Sequence, residues 1–149
     1  MKFLGIDYGT KRIGVAVSDE KKVLAFPKEI ISNDLSIFKK LGEIIKTENI
    51  LEIVVGESID FSGKLNVLSA RIGIFILELK NEFNLPIHKQ KEFLTSVEAR
   101  RHQDFGRQAR KSVSGNQHSR LKQIKSGRVD ASAAALILQR YLDKKNNGK

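Results

Sequence analysis

Three carboxylates in this 149-residue chain stand where an acid is costly. Asp7 closes the apolar run Phe3-Leu4-Gly5-Ile6 and faces a second one across a short turn, Ile13-Gly14-Val15-Ala16-Val17. Glu92 ends a short strand pattern that opens after Pro86. Asp130 shares the spacing 130, 134, 137, 141 with Ala134, Ile137 and Tyr141, the apolar side of a helix. An ionised carboxylate in such surroundings must find a cation, strong donors or a raised pKa. Three of them meeting at one spot repel each other unless a divalent ion neutralises them. Carboxylate oxygens in a chain with no cysteine suit Mg²⁺ or Mn²⁺. Two such ions, about 3.5–4 Å apart, can clamp the attacking and leaving oxygens of a phosphodiester displacement. That chemistry is a metal-dependent nuclease, with Asp7, Glu92 and Asp130 as catalytic metal ligands.

Taken singly, each acid has an ordinary reading. Asp7 could accept backbone N–H bonds in the turn at Gly9. Asp130 could be an acid near a helix N-terminus, favoured by the macrodipole. Glu92, beside Lys89 and Lys91, could be a surface glutamate. The nuclease reading rests on the three together and on the charge around them. The formal net charge is +10, an excess that favours polyanionic partners, nucleic acid first. Between Arg100 and Arg128 the cations Arg100, Arg101, Arg107, Arg110, Lys111, Arg120, Lys122, Lys125 and Arg128 face one acid, Asp104. Arg100, Arg107, Arg110 and Lys111 are expected to hold substrate phosphates. Lys11 and Arg12, just after Asp7, are close enough in sequence to join them.

The elements that must position these residues follow from periodicity. Two strands, Lys2 to Asp7 and Arg12 to Ser18, are joined by the turn Tyr8-Gly9-Thr10-Lys11; Ile13, Val15 and Val17 alternate with small residues. A third strand is expected from about Val23 to Ile31, with Pro27 indicating a sheet edge. Asn33 or Asp34 then caps a helix whose apolar positions are Leu35, Phe38, Leu41, Ile44 and Ile45. The run Ile50 to Gly56 reads as a buried parallel strand. A second helix, about Leu65 to Phe83, carries Leu68, Ile72, Phe75, Ile76 and Leu79 toward the core. A last strand covers roughly Ile87 to Lys91. Thr95-Ser96-Val97-Glu98 is a capping box opening a short helix to about Asp104. Residues 105–127 are expected as a basic flexible loop or helix hairpin, and Arg128 to Asp143 as the final helix. The order predicts one α/β domain over residues 1–149, a mixed five-stranded sheet flanked by helices.

Composition narrows the setting. No apolar run approaches the ~20 residues of a membrane span, and MKFLGIDYG meets an acid and a glycine too early for a secretory signal. Without cysteine, disulfides and thiolate metal sites are excluded. The expectation is a cytoplasmic protein with no membrane partner, monomeric or homodimeric.

The stretches GIDYGTKRIGVAVSD, TSVEAR and VDASAAALILQRYL, in that order, closely resemble the bacterial YqgF family, also called RuvX-like, of Holliday junction resolvases or pre-16S rRNA nucleases. The resemblance implies an RNase H-like fold, nuclease activity with Mg²⁺ or Mn²⁺ (two ions), and processing of the 5′ end of the 16S rRNA precursor. Resolution of DNA junctions is the alternative. By motif, Asp7 matches the family's first catalytic acid, Asp130 its last, and Glu92 the middle one. The chain departs from the family in that middle motif, which usually reads Asp-Glu-Arg; here it is Lys91-Glu92-Phe93. A lysine at 91 could partly neutralise the site. A second departure is Val54-Val55-Gly56-Glu57-Ser58 where the family typically has Val-Val-Gly-Leu-Pro, which makes Glu57 a second-rank metal ligand candidate.

Two other classes compete. Gly5-Ile6-Asp7-Tyr8-Gly9-Thr10 also looks like the first phosphate motif of actin and Hsp70-like ATPases, which need two domains and a second phosphate loop that this chain lacks. A non-catalytic nucleic-acid-binding assembly factor would keep the basic surface but place Lys91 at the metal position.

Overall fold

The computed structural model describes residues 1–58, 67–92 and 118–148, with the backbone alone at 58, 92 and 118–132. The capping box and short helix at 95–104, Phe93, and the phosphate-binding candidates Arg100, Arg107, Arg110 and Lys111 lie outside the described residues.

Strands β1 (Lys2–Tyr8), β2 (Arg12–Ser18) and β3 (Ala25–Ser32) are followed by helix α1 (Ile37–Thr47), β4 (Ile50–Ser58), helix α2 (Val67–Phe83), β5 (Ile87–Glu92) and helix α3 (His118–Asn147). They form one mixed sheet of order β3-β2-β1-β4-β5. The two hairpin contacts are antiparallel, whereas β1–β4 and β4–β5 are parallel, joined through a helical crossover in the βαβ manner. Pro27 is on β3, at the sheet edge, where a residue without an N–H disturbs only one ladder.

The side-chain alternation of β1 divides the core between two faces. Leu4 and Ile6 pack with Ile13, Val15, Ile53 and Val55 beneath Leu41 and Ile44 of α1 and Ile72, Phe75 and Leu79 of α2. Phe3, Ala16 and Val54 pack on the other side beneath Ala134, Ile137, Leu138 and Leu142 of α3. Burying each of the three large α3 side chains stabilises the docked helix by ~1.5–3 kcal/mol. Among the described residues no helix is long and apolar enough to cross a membrane.

Three boundaries differ from expectation. The exposed Leu35 precedes α1 and Ile37 takes the buried place. The Asp34 carboxylate accepts the N–H of Ser36 at 2.8 Å and turns the chain ahead of the helix rather than capping it. Helix α3 begins at His118, ten residues before Arg128, so of the two forms expected for this span, loop or helix hairpin, its last part takes the helical one. The segment from His118 to Lys125 contains no proline or glycine and is rich in Leu, Lys, Gln and Arg, which propagate a helix even without an apolar stripe. Helices α1 and α2 stop where Asn49 and Asn84 enter the left-handed region, at φ 52° and 50°.

Candidate metal and nucleic-acid site

Asp7 sits at the C-terminal end of β1, half-buried, opposite Gly14 in the hairpin register. Its neighbour Tyr8 turns to the α1/α2 face, with its ring 5.0 Å from that of Phe75. Asp7 therefore shares the α3 face with Phe3 and Gly5. On β2 the adjacent position on that face is Gly14. On β4 it is Gly56, one residue beyond the Ile6↔Val55 pair and in alternation with Val54. Asp7 is thus flanked on both neighbouring strands by buried residues without side chains.

The turn after Asp7 requires its glycine. A Cβ at Gly9 would collide with the backbone oxygen of Arg12. Asn33 donates its side-chain amide to the Gly9 carbonyl at 2.9 Å, and its N–H to the Lys11 carbonyl at 2.9 Å, tying the turn to the end of β3. Lys11 and Arg12 are exposed in this turn, next to Asp7.

Helix α3 brings the second acid. The Tyr141 ring meets Phe3 edge-on at 6.2 Å, while a Cβ at Gly5 would stand 2.7 Å from Leu138 Cβ and 3.0 Å from the Ala134 carbonyl. Moving from residue 141 back to 134 along the helix thus follows the strand from Phe3 to Gly5. From there the four helical residues from Ala134 back to Asp130 rise about 6 Å and the two strand residues from Gly5 to Asp7 about 6.6–6.8 Å, so the backbone turn at residue 130 is carried toward the Asp7 end of β1. The expected apolar spacing is borne out on this helix: Ala134 and Ile137 are buried and Tyr141 is half-buried.

Strand β5 supplies the third position. Its register pairs Gly56 with Gln90, Glu57 with Lys91 and Ser58 with Glu92. His88 lies on the α3 face, its ring 5.1 Å from that of Tyr141. Positions 90 and 92 share that face by alternation, which puts the Glu92 position on the same side of the sheet as Asp7, two strands away.

The same register separates Glu57 and Lys91 from Asp7. Glu57 alternates with Val55 on the α1/α2 face and lies 3.6 Å from the Lys89 ammonium. It is directed away from Asp7, so its proximity in sequence to β1 does not make it a ligand beside Asp7. Lys91 pairs with Glu57 on that same face and is exposed, so it does not occupy a metal position beside Asp7. A strand period of two assigns opposite faces to the two neighbouring positions 91 and 92.

Asp7, Glu92 and Asp130 occupy positions on one side of the sheet, and their hard oxygen donors are the set that Mg²⁺ or Mn²⁺ takes. By donor chemistry these residues fit such ions. Among described side chains, which include Asp7 but not the other two acids, no three metal-binding groups gather. Sequence reasoning singled out the acids but missed Gly5, Gly14 and Gly56. Their signal was the alternation of glycine with apolar residues on β1 and β2, and the glycine that follows the run Ile53-Val54-Val55.

Comparison with known proteins finds relatives along nearly the whole chain. Residues 1–144 match the family model described as "RuvX: Holliday junction resolvase". A Lawsonia intracellularis protein named "Putative pre-16S rRNA nuclease" is 37% identical over 145 residues, covering 96% of this chain and 94% of that one. A relative of the same name from Thermoanaerobacter pseudethanolicus is 33% identical over 153 residues, covering 99% of each. Two solved structures share the fold. T. thermophilus RuvC in complex with a Holliday junction substrate has a TM-score of 0.55 at 17% identity, over 97% of this chain and 95% of that one. The fowlpox virus resolvase complex with Holliday junction DNA has a TM-score of 0.51 at 15% identity, over 97% and 98%. The chain belongs to the RuvX (YqgF) family of RNase H-like nucleases, enzymes that hydrolyse phosphodiester bonds.

Proposed function

We propose that this protein is a divalent-metal nuclease that processes the 5′ end of the 16S rRNA precursor during ribosome biogenesis in the cytoplasm. The observation that carries the metal-site reading is the flush docking of α3 on Gly5, which draws the Asp130 turn toward the end of β1 where Asp7 stands between two glycines. The rRNA substrate follows the names of the relatives, which match along nearly their whole length. Asp7 would anchor metal centrally, with Glu92 and Asp130 completing the ligand set. Mg²⁺ or Mn²⁺ bound there would supply activated water and charge stabilisation at the scissile phosphate. Lys11 and Arg12 extend from the turn beside Asp7 and would hold the flanking phosphates, joined by Arg100, Arg107, Arg110 and Lys111. Replacing any one of these cations by alanine should lower the salt dependence of binding without changing sequence preference.

The family model's description and the junction-bound neighbours favour branched DNA as a second reading. One experiment separates the two. The protein is incubated with a precursor 16S 5′ end or a four-way DNA junction, with Mg²⁺, Mn²⁺ or EDTA. Cleavage of the RNA alone, abolished by EDTA and by Asp7→Asn with the melting curve retained, is expected. Cleavage of the junction alone would replace the substrate assignment, and undiminished activity of Asp7→Asn would remove Asp7 from the mechanism.

A further inference from the structure

The turn between β1 and β2 is held more firmly than the sheet requires. The ladders on either side of it end at Tyr8↔Ile13 and Arg12↔Ser32, so Gly9, Thr10 and Lys11 lie beyond both. The register of the hairpin is already set by the buried alternation of Ile13, Val15 and Val17. Asn33, the first residue after β3, nevertheless reaches this turn twice. Its N–H donates to the Lys11 carbonyl and its side-chain amide to the Gly9 carbonyl, each at 2.9 Å. Positive φ among the described non-glycine residues is confined to Lys22, Asn49 and Asn84, so position 33 does not need asparagine for its backbone conformation. What the side chain adds is the amide that meets Gly9.

Those bonds orient the peptide groups of the turn. In a trans peptide the C=O and the N–H point opposite ways. With the Gly9 carbonyl turned to Asn33, the Thr10 N–H is directed away from it, in a turn where Thr10, Lys11 and Arg12 are all exposed. Gly9 permits this course, because a Cβ there would stand 2.3 Å from the Arg12 carbonyl oxygen. The turn therefore carries a backbone donor and two cationic side chains on a backbone anchored at two of its carbonyls. Binding a polyanion to a turn already ordered costs less entropy than binding it to a free loop.

We propose that Asn33 is a positioning residue that pre-forms the 9–12 turn as a phosphodiester-binding element. The Thr10 N–H and the Lys11 and Arg12 side chains touch the substrate backbone, and Asn33 acts through them without touching it. The inference rests on the reading that Lys11 and Arg12 hold substrate phosphates.

Asn33 carries no charge, which gives the test a clear readout. Removing a neutral side chain lowers the salt dependence of binding only by displacing cations from phosphates. Fluorescence anisotropy of the full chain with a labelled precursor 16S 5′ end, and with a labelled four-way DNA junction, is followed across a salt series in EDTA. Cleavage does not enter this measurement, so failure of the nuclease reading would not mask its result. Asn33→Ala keeps the backbone bond to Lys11 and loses the one to Gly9; Asn33→Leu does the same with nearly the original shape. Both, checked by circular dichroism and melting, should bind about three- to tenfold more weakly. Both should also reduce the slope of log K against log salt by about 1. In a Lys11→Ala/Arg12→Ala background, Asn33→Ala should cost no more than about twofold, because the groups it positions are gone.

Equal affinity and slope for the wild type and both folded variants would overturn the positioning role. So would an undiminished loss in the Lys11→Ala/Arg12→Ala background, or failure of both variants to fold, which would assign Asn33 to folding. A Lys11→Ala/Arg12→Ala protein that binds like the wild type would overturn the underlying reading of those cations, and the proposal with it.

Discussion

Gly5→Ala adds one methyl group to the chain, at the contact that seats α3. The new Cβ would lie 2.7 Å from Leu138 Cβ and 3.0 Å from the Ala134 carbonyl oxygen, atoms that no rotamer change can move. Regaining a 3.4 Å contact requires about 0.7 Å of separation at Leu138, the difference between 3.4 and 2.7 Å. Both contacts belong to α3, so the helix must retreat or tilt as a unit. Overpacking of this kind costs ~1–3 kcal/mol. For a chain of about 150 residues each kcal/mol is worth roughly 2–4 °C, so Tm should fall by roughly 2–12 °C. Activity should fall further than stability implies, because α3 carries Asp130 toward Asp7 and a ~1 Å misplacement can cost ~10²-fold. The assay pairs thermal melting with single-turnover cleavage, well below the melting range. The same substitution at Gly73, where nothing lies within 4 Å, should instead raise stability by up to about 1 kcal/mol. Equal melting and cleavage for Gly5→Ala and wild type would refute the docking argument.

Two further outcomes can be checked with routine measurements. Glu57 is directed to the α1/α2 face beside Lys89, so Glu57→Gln should cleave within about twofold of wild type; a loss comparable to Asp7→Asn would restore it as a ligand. Acid should destabilise the fold through Asp19 and Glu48. The Val23 and Leu24 N–H groups, at 2.7 and 3.1 Å, hold the Asp19 carboxyl below its ordinary value. The Lys2 and Lys28 ammoniums do the same for Glu48. A lowered folded-state pKa contributes stability above the ordinary carboxyl pKa of about 4, which is lost as pH falls through the lowered value. Tm should thus hold near neutrality and drop below about pH 4, and Asp19→Asn/Glu48→Gln should flatten that drop; an equal drop in the variant would contradict these roles.

Much of the fold was legible because local patterns and tertiary demands coincide. Ile13, Val15 and Val17 alternate in sequence and are buried together on one face. Ile72, Phe75 and Leu79 follow a helical period and fill the core. Where the two diverged, local reading failed. Leu35 fits the helical spacing of α1, yet the Asp34 turn leaves it outside the helix. Residues 118–125 lack an apolar stripe, yet the backbone there is helical, because propensity alone carries the N-terminal turns of a long helix already docked at Ala134 and Leu138.

The candidate site divides in the same way. Residue type alone singled out Asp7 and Asp130 as candidate ligands with oxygen donors, and a +10 chain as one that suits a polyanion. Which acids share a face was decided only by the sheet. Lys91, Glu92 and Glu57 all belong to motifs that converge on the Asp7 end of the sheet, but strand register turns Lys91 and Glu57 to one side and position 92 to the other. The reason is physical: a strand's period of two makes direction depend on register to a single residue. Register is set by pairings between segments distant in sequence. The closeness of α3 to β1 is likewise a property of the missing side chain at Gly5, and it acquires meaning only when Ala134 and Leu138 arrive above it.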